Sequence, residues 1–486
     1  MTMRRSFSLS ALALLAIGCP SGDDTATGSE SSSTGGESGS SSTTATTATT
    51  TADTSGGSSS GGGSSSDSGV DSSSGSTGVV NTCGDGVLDE GEECDDENTD
   101  LDDNCTAMCT IPFEITWTTT HNGSASNFDS ANEVWLDPDG NAIVIGSERV
   151  TDEGANLWLA QILADGTEGW TLSYNGADGL DDFGAALAVL PDGDFVIAGS
   201  VETEMTGDDI LLARIDGATQ MVEWEVVVDG PGSGPGQNDE ADSASDVNVD
   251  ADGNIYLAGN VRVGPQNWDF FLGKYDDAGN ELWTTTYDGA AGGGDFTRTV
   301  LIDGDGTAWL LGNEEQNDNS DLGLVLAYDT DGNAIDADTQ TLDFRVADMA
   351  VDADGNFVVV GDGTVANTFE DIITRKYDAT WSQVWEAAHD GAGSSDFARG
   401  VTVGPSGNVY TTGDAQRVNE SFNGTMVAYD ADGAALWGDE WNQMDADLDD
   451  SFAMAAEDAA GDVIVVGSET VLGEQSNALV RKYHPL

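Results

Sequence analysis

The chain has 486 residues and a formal net charge of −75, from 89 Asp and Glu against 14 Lys and Arg. So acidic a surface repels nucleic acid and anionic lipid, because both are held through Lys and Arg contacts and counterion release. It suits a solvated exterior, a salty medium, and cationic or basic partners.

Residues 1–18 begin Met-Thr-Met-Arg-Arg, continue as a short apolar run and end Ala16-Ile17-Gly18 before Cys19. A basic start, an apolar core too short to span a bilayer and small residues before a cut describe a secretory signal. The Ala16–Cys19 end resembles a bacterial lipobox, with Ala16 where leucine is commoner. The resemblance implies cleavage before Cys19, a lipid on that cysteine and attachment to a membrane. An ordinary cleaved signal with a chance cysteine is the plain alternative. Pro20 fits an outer-membrane or cell-surface location better than inner-membrane retention.

Residues 19–82 are almost entirely Ser, Thr, Gly, Ala and Asp, with no aromatic side chain. Such a segment cannot bury a core and is expected to be disordered. As a flexible coil it holds its ends roughly 40–45 Å apart, a suitable tether.

Residues 83–110 form a separate module around Cys83, Cys94, Cys105 and Cys109. In an exported chain four cysteines argue for two disulfides, and three connectivities stay open. Zinc is the weaker reading, because only Cys105 and Cys109 are closely spaced. The opening Cys83-Gly-Asp-Gly and the Glu93-Cys94-Asp-Asp string resemble the cysteine-rich repeat of myxobacterial surface proteins, which implies a disulfide-stapled spacer.

Residues 113–486 are repetitive. Turn glycines Gly140, Gly193, Gly253, Gly306, Gly355, Gly407 and Gly461 are each followed six residues later by another glycine. Twenty-two residues after each turn glycine stands Ile162, Ile215, Tyr275, Tyr328, Tyr377, Tyr429 or Tyr483. A period near 50 residues signals a propeller or a solenoid. One copy reads as strand A (Ser245–Val249), an Asp-Gly-Asn turn, strand B (Ile255–Ala258), strand C (Phe270–Tyr275), a second turn and strand D (Glu281–Tyr287). Strand D carries Trp117, Trp170, Trp224, Trp283, Trp385 and Trp437, and one copy has Ile335-Asp336 instead. A tryptophan stripe of this kind reads as packing between neighbouring sheets.

The fold expected is all-β: a seven-bladed propeller of four-stranded blades. The repeats open with a lone strand D (Glu114–Thr120) and close with a lone strand C (Ala478–Tyr483), so the first should complete the last blade. Phrases such as Gly253-Asn-Ile-Tyr-Leu-Ala-Gly259 resemble β-propeller repeats of exported bacterial proteins. Lys274-Tyr-Asp-Asp-Ala-Gly-Asn-Glu-Leu-Trp283 also resembles the quinoprotein dehydrogenase repeat. Those phrases specify blades, and blades carry fold and not activity.

Catalytic signals are sparse. His121 and His389 both follow a strand D tryptophan by four residues and read as packing residues, and His484 is near the terminus. Residues 113–486 hold no cysteine and no GxxxxGK[ST] string. The Asp-x-Asp-Gly phrases have glycine at position 4, where an EF-hand has it at 6, and read as hairpin turns.

One pattern remains. Asp129, Asp182, Asp242, Asp295, Asp396 and Asp450 mark the starts of strand A, and Asn156, Asp209, Asp269, Asp371, Asn423 and Asn477 the starts of strand C. Capping of backbone N–H groups accounts for them. A calcium site is the sharper reading, drawn from Asp182, Asp209, Asp239, Glu240, Asp242, Asp269 and Asp295, with Asp239 and Glu240 in the longest loop. Within one blade, strand B separates strands A and C, so their starts stand about 9.5–10 Å apart and need help to share an ion.

The expected function is a lipid-anchored, exported propeller, monomeric, that binds or displays a protein, glycan or small molecule without catalysis. The alternative is an exported enzyme, a quinone-dependent or sugar-active oxidoreductase, using the central channel.

Overall fold

The computed structural model describes Cys94, Cys105 and residues 110–486, except 126, 205, 231–239, 264–267, 318–319, 365–368, 391–394, 417–420, 442–447 and 473–474. The signal segment, Cys19, the linker, Cys83, Cys109 and Asp239 therefore lie outside the described residues, as does the side chain of Glu240. Cys94 and Cys105 are joined by a disulfide.

Seven sheets form a β-propeller, as the repeat predicts, antiparallel apart from a parallel pairing of Glu240–Ala241 with Gly207–Asp208. In blade 3 the strands are A (Ser243–Val249), B (Ile255–Arg262), C (Trp268–Tyr275) and D (Glu281–Tyr287), paired in that order. Strands A to C are largely buried, whereas strand D alternates exposed and half-buried residues, as an outermost strand must. The ring closes as expected: Phe113–His121 pairs antiparallel with Ser476–Pro485 and supplies strand D of blade 7. No helix among the described residues is long and apolar enough to cross a membrane.

The core lies between blades and not within them. Each of the seven seams holds its own apolar cluster, such as Val196, Ile210 and Leu212 of blade 2 against Val247, Leu257 and Tyr275 of blade 3. A four-stranded sheet has two apolar faces, and a neighbour covers each, so no blade is stable alone.

Polar stitches reinforce the seams near the channel. Glu133 Oε2 accepts the Leu187 N–H of the next blade at 2.7 Å, Asp246 Oδ2 the Val300 N–H at 2.8 Å and Asp348 Oδ2 the Val401 N–H at 2.8 Å. At the outer edge, strand D tryptophans reach the turn between strands C and D of the next blade. Trp117 Nε1 donates to Ala164 O at 3.0 Å, Trp224 to Asp277 O at 3.2 Å, Trp283 to Thr330 O at 3.1 Å and Trp385 to Ala431 O at 3.0 Å. The tryptophan stripe is thus inter-blade packing with a donor hydrogen bond added.

Two repeated features have steric causes. All seven inner strands carry a β-bulge at one equivalent residue: Asn132, Ala185, Ser245, Arg298, Ala347, Arg399 or Ala453. Opposite each bulge sits the second repeated glycine, where strand A crowds strand B. A Cβ on Gly146 or Gly467 would stand 1.9 Å from the carbonyl oxygen of Ser130 or Ser451, so only glycine fits.

Blade 4 departs from the expectation. Ile335-Asp336 is not in strand D: a 3-10 turn at Asp336–Asp338 intervenes, and strand D is cut to Gln340–Leu342. The Asp-x-Asp-Gly phrases are turns, as read. Asp250 Oδ1 accepts the N–H groups of Asp252 and Asn254 at 3.0 and 2.9 Å, and Gly253 takes φ 86°.

Candidate cation sites at the blade seams

The two aspartate and asparagine sets do different work. The strand A aspartates cap backbone. Asp129 accepts the N–H of Gly123 at 2.8 Å and of Arg149 at 2.6 Å; Asp242 accepts those of Gly230 at 2.5 Å and Arg262 at 2.6 Å. Asp182, Asp295, Asp396 and Asp450 accept equivalent bonds from Gly176, Glu315, Gln416 and Thr470. Each carboxylate ties the incoming loop to the end of strand B.

The strand C set is less satisfied. Oδ1 of Asn156, Asp209 and Asn423 is buried without a hydrogen-bond partner among the described residues. Asp209 is 2% exposed, and only its other oxygen is engaged, by Thr206 Oγ1 at 2.6 Å and Thr203 Oγ1 at 3.3 Å. A buried carboxylate oxygen without a donor is costly.

The spacing argument within one blade does not describe how these groups meet. The start of strand C faces the start of strand A in the next blade, across the seam. Asp209 of blade 2, Asp229 at the end of its strand D and Asp242 of blade 3 bring carboxylate oxygens within 4.8 Å of one another. Asp371, Asp390 and Asp396 do the same between blades 5 and 6. The third member was missed from sequence. Its signal is the Asp-Gly or Asn-Gly dipeptide closing strand D at Asn122, Asn175, Asp229, Asp288 and Asp390. Asp182, Asp209 and Asp269 therefore belong to three separate seams and not to one site. At the blade 4–5 seam Leu322 and the buried Phe344 replace two of the three, and the third position is Asp343, which pairs with Arg375.

Electrostatics follow the crowding. Burial pushes the carboxyls of Asp182, Asp242 and Asp295 up to about 6, against the pull of their backbone donors. Asp269 is also pushed up to about 6, by burial and then by Asp288 and Asp295. Asp209 is raised by burial first and by Asp229, with Thr206 pulling it down. Calcium takes six to eight oxygens at roughly 2.3–2.6 Å, so oxygens on one ion lie up to about 5 Å apart. The two triads meet that spacing, and a divalent cation at the first would offset the burial of Asp209 and Asp242 and the repulsion Asp229 adds to it.

The histidines are more than apolar packing. His121 Nε2 lies 2.8 Å from Glu148 Oε2 and its ring stacks on Trp158 at 4.4 Å. His389, 3% exposed, has Nε2 3.9 Å from Glu440, and His484 Nδ1 lies 2.6 Å from Asp462.

No known family and no curated protein matches the chain. Solved structures do. A protein of unknown function from Dyadobacter fermentans matches at 9% identity over 77% of this chain and 100% of its own, TM-score 0.43. The extracellular domains 1–2 of Drosophila Semaphorin 1b match at 9% identity over 76% and 86%, TM-score 0.44. An acylaminoacyl peptidase of Pyrococcus horikoshii matches at 10% identity over 73% of this chain and about half, 51%, of its own, TM-score 0.43. Similarity at that level carries no activity over to this chain.

Proposed function

We propose that this protein is an exported, lipid-anchored propeller that binds or displays a ligand without converting it, and that divalent cations staple its blade seams. The signal segment, Cys19 and the Ser/Thr/Gly-rich linker support the anchor and tether. The observation that carries the cation reading is the Asp209–Asp229–Asp242 convergence, with the buried Asp209 Oδ1 accepting from no donor among the described residues. Cations there join one blade to the next and hold the ring rigid, which preorganises any ligand surface on it.

The test is thermal unfolding of the full chain after chelation, with calcium, magnesium or matched ionic strength restored. A ligand of the folded state alone stabilises by about 2.7 kcal/mol at a hundredfold excess over its Kd. Calcium should raise the melting temperature saturably and beyond the other two. Asp209→Asn should remove more of that rise than Asp137→Asn, because Asp137 only holds a turn, through the N–H groups of Asp139 and Asn141. A calcium effect no larger than that of magnesium or salt would refute the seam sites.

A further inference from the structure

The propeller carries 71 acidic and 12 basic residues, a net of −59. Against that field three arginines stand at the N-terminal ends of adjacent inner strands: Arg298 of blade 4, Arg345 of blade 5 and Arg399 of blade 6. Arg298 and Arg399 occupy bulge positions. A bulge re-aims its side chain and recurs beside functional sites.

Two of the three are neutralised. Arg399 Nη2 and Nε lie 2.6 and 2.8 Å from Asp414 Oδ2, and Arg345 Nη1 lies 3.9 Å from Asp362 Oδ2. Asp362 is also committed to the fold, accepting the Ala398 N–H at 2.6 Å. Arg298 is different. It makes no hydrogen bond or ion pair among the described residues, and its Nε is buried without a partner. Burial pushes this guanidinium down to about 10, and Arg345 and Arg399 push the same way, with Asp362 and the exposed Asp321 opposing. A half-buried guanidinium with a buried, unpartnered Nε and two like charges near it costs stability unless an anion completes the site.

We propose that Arg298, Arg345 and Arg399 form a binding site for a single carboxylate group of a small ligand. Guanidinium offers the paired donors that grip a carboxylate from two sides. Three guanidiniums against the two buried aspartates leave room for one negative charge. The acidic surroundings disfavour more than one, so polyanions and dianionic phosphate are rejected. This names the ligand class of the binding reading above and rests on it, but not on the seam cations.

The test is calorimetric titration of the full chain, at low ionic strength and fixed calcium, with D-glucuronate, D-glucose and inorganic phosphate. Saturable binding of glucuronate and none of glucose or phosphate is expected. Arg298→Gln should weaken it at least about tenfold, the worth of one charge-assisted contact. It should melt no lower than the parent, because it removes a half-buried unpaired charge. Arg298→Lys should recover only part of the affinity. Arg214→Gln, a change at a residue paired with Asp192 and Asp194 in blade 2, should leave binding unchanged. Asp209→Asn should also leave it unchanged, which separates this site from the seams. The proposal fails if glucuronate gives no saturable signal, if phosphate binds as tightly, or if Arg298→Gln binds like the parent. A melting temperature for Arg298→Gln well below the parent's would instead assign Arg298 to the fold.

Discussion

Trp381 stacks flat on Phe357, ring centroids 4.5 Å apart, at the turn position that four other blades give to Gly166, Gly279, Gly332 or Gly433. Those glycines exist because the strand D tryptophan of the preceding blade lies on them: a Cβ on Gly332 would stand 2.7 Å from the Trp283 ring. Blade 4 has no such tryptophan, and blade 5 fills the space from its own side with Trp381, at φ 61°. Trp381→Gly should therefore destabilise by about 2–4 kcal/mol, a core tryptophan truncation less the relief of a left-handed residue. Gly332→Ala should also destabilise, for the opposite reason. Chemical denaturation midpoints check both, and a neutral Trp381→Gly would show that the space it fills collapses without cost.

Removing Phe113–His121 opens the ring. It unpairs Ser476–Pro485, strips Trp117 from Ala164 and Gly166, and takes Phe113 from Trp437 and Tyr483, each at 5.2 Å. The loss should be at least the 3–5 kcal/mol of a core tryptophan, much of a domain's net stability. The expected result is a large fall in melting temperature with exposed sheet edges that associate.

Arg481 is 1% exposed, lies 3.5 Å over the Trp441 ring and has Nη1 3.8 Å from Asp439 Oδ2, which also accepts the Tyr483 hydroxyl at 2.6 Å. Asp439→Ala leaves a buried cation without its counter-ion and should cost about 3–5 kcal/mol. Adding Arg481→Met should recover much of that loss, since the partners left are the Trp441 and Tyr483 side chains and the neutral Thr118 hydroxyl. A double mutant as unstable as the single would show that the charge is not what Asp439 answers.

Stability should fall as pH rises from about 4 to 7. Burial pushes Asp246 up to about 7 and Asp362 up to about 6, so in this window the folded chain holds protons that the unfolded chain has released. The unfolding free energy therefore declines with pH, and the repulsion of the acidic surface acts in the same direction. Guanidinium midpoints at pH 5 and pH 7.5 in chelator measure the slope. Asp246→Asn, which cannot titrate, should flatten it while leaving surface repulsion intact; an unchanged slope would assign the effect to the surface alone.

Blade number, strand order and ring closure were legible in the chain because each is a local, repeated event. A glycine turn and a period-two strand recur in every blade, a tryptophan at a fixed offset recurs in six of the seven, and repetition separates signal from accident. Strand D of blade 3, Glu281–Tyr287, was placed to the residue, whereas strand B runs four residues beyond its expected end to Arg262. The extension is paired with Trp268 and Asp269, a partner that no local pattern announces. Strand D of blade 4 was misplaced because its neighbour's Trp381 had taken over the packing that normally holds it in register. The acidic and amide positions were also visible, but their company was not. Sequence neighbours suggested pairs within a blade, whereas the ring apposes strand C of one blade to strand A of the next and adds a residue from strand D between them. The same closure assembles Arg298, Arg345 and Arg399 from three repeats. Local spacing determined the blades; contacts between residues some fifty apart depend on how one twisted sheet covers the next, and only the tertiary structure decides that.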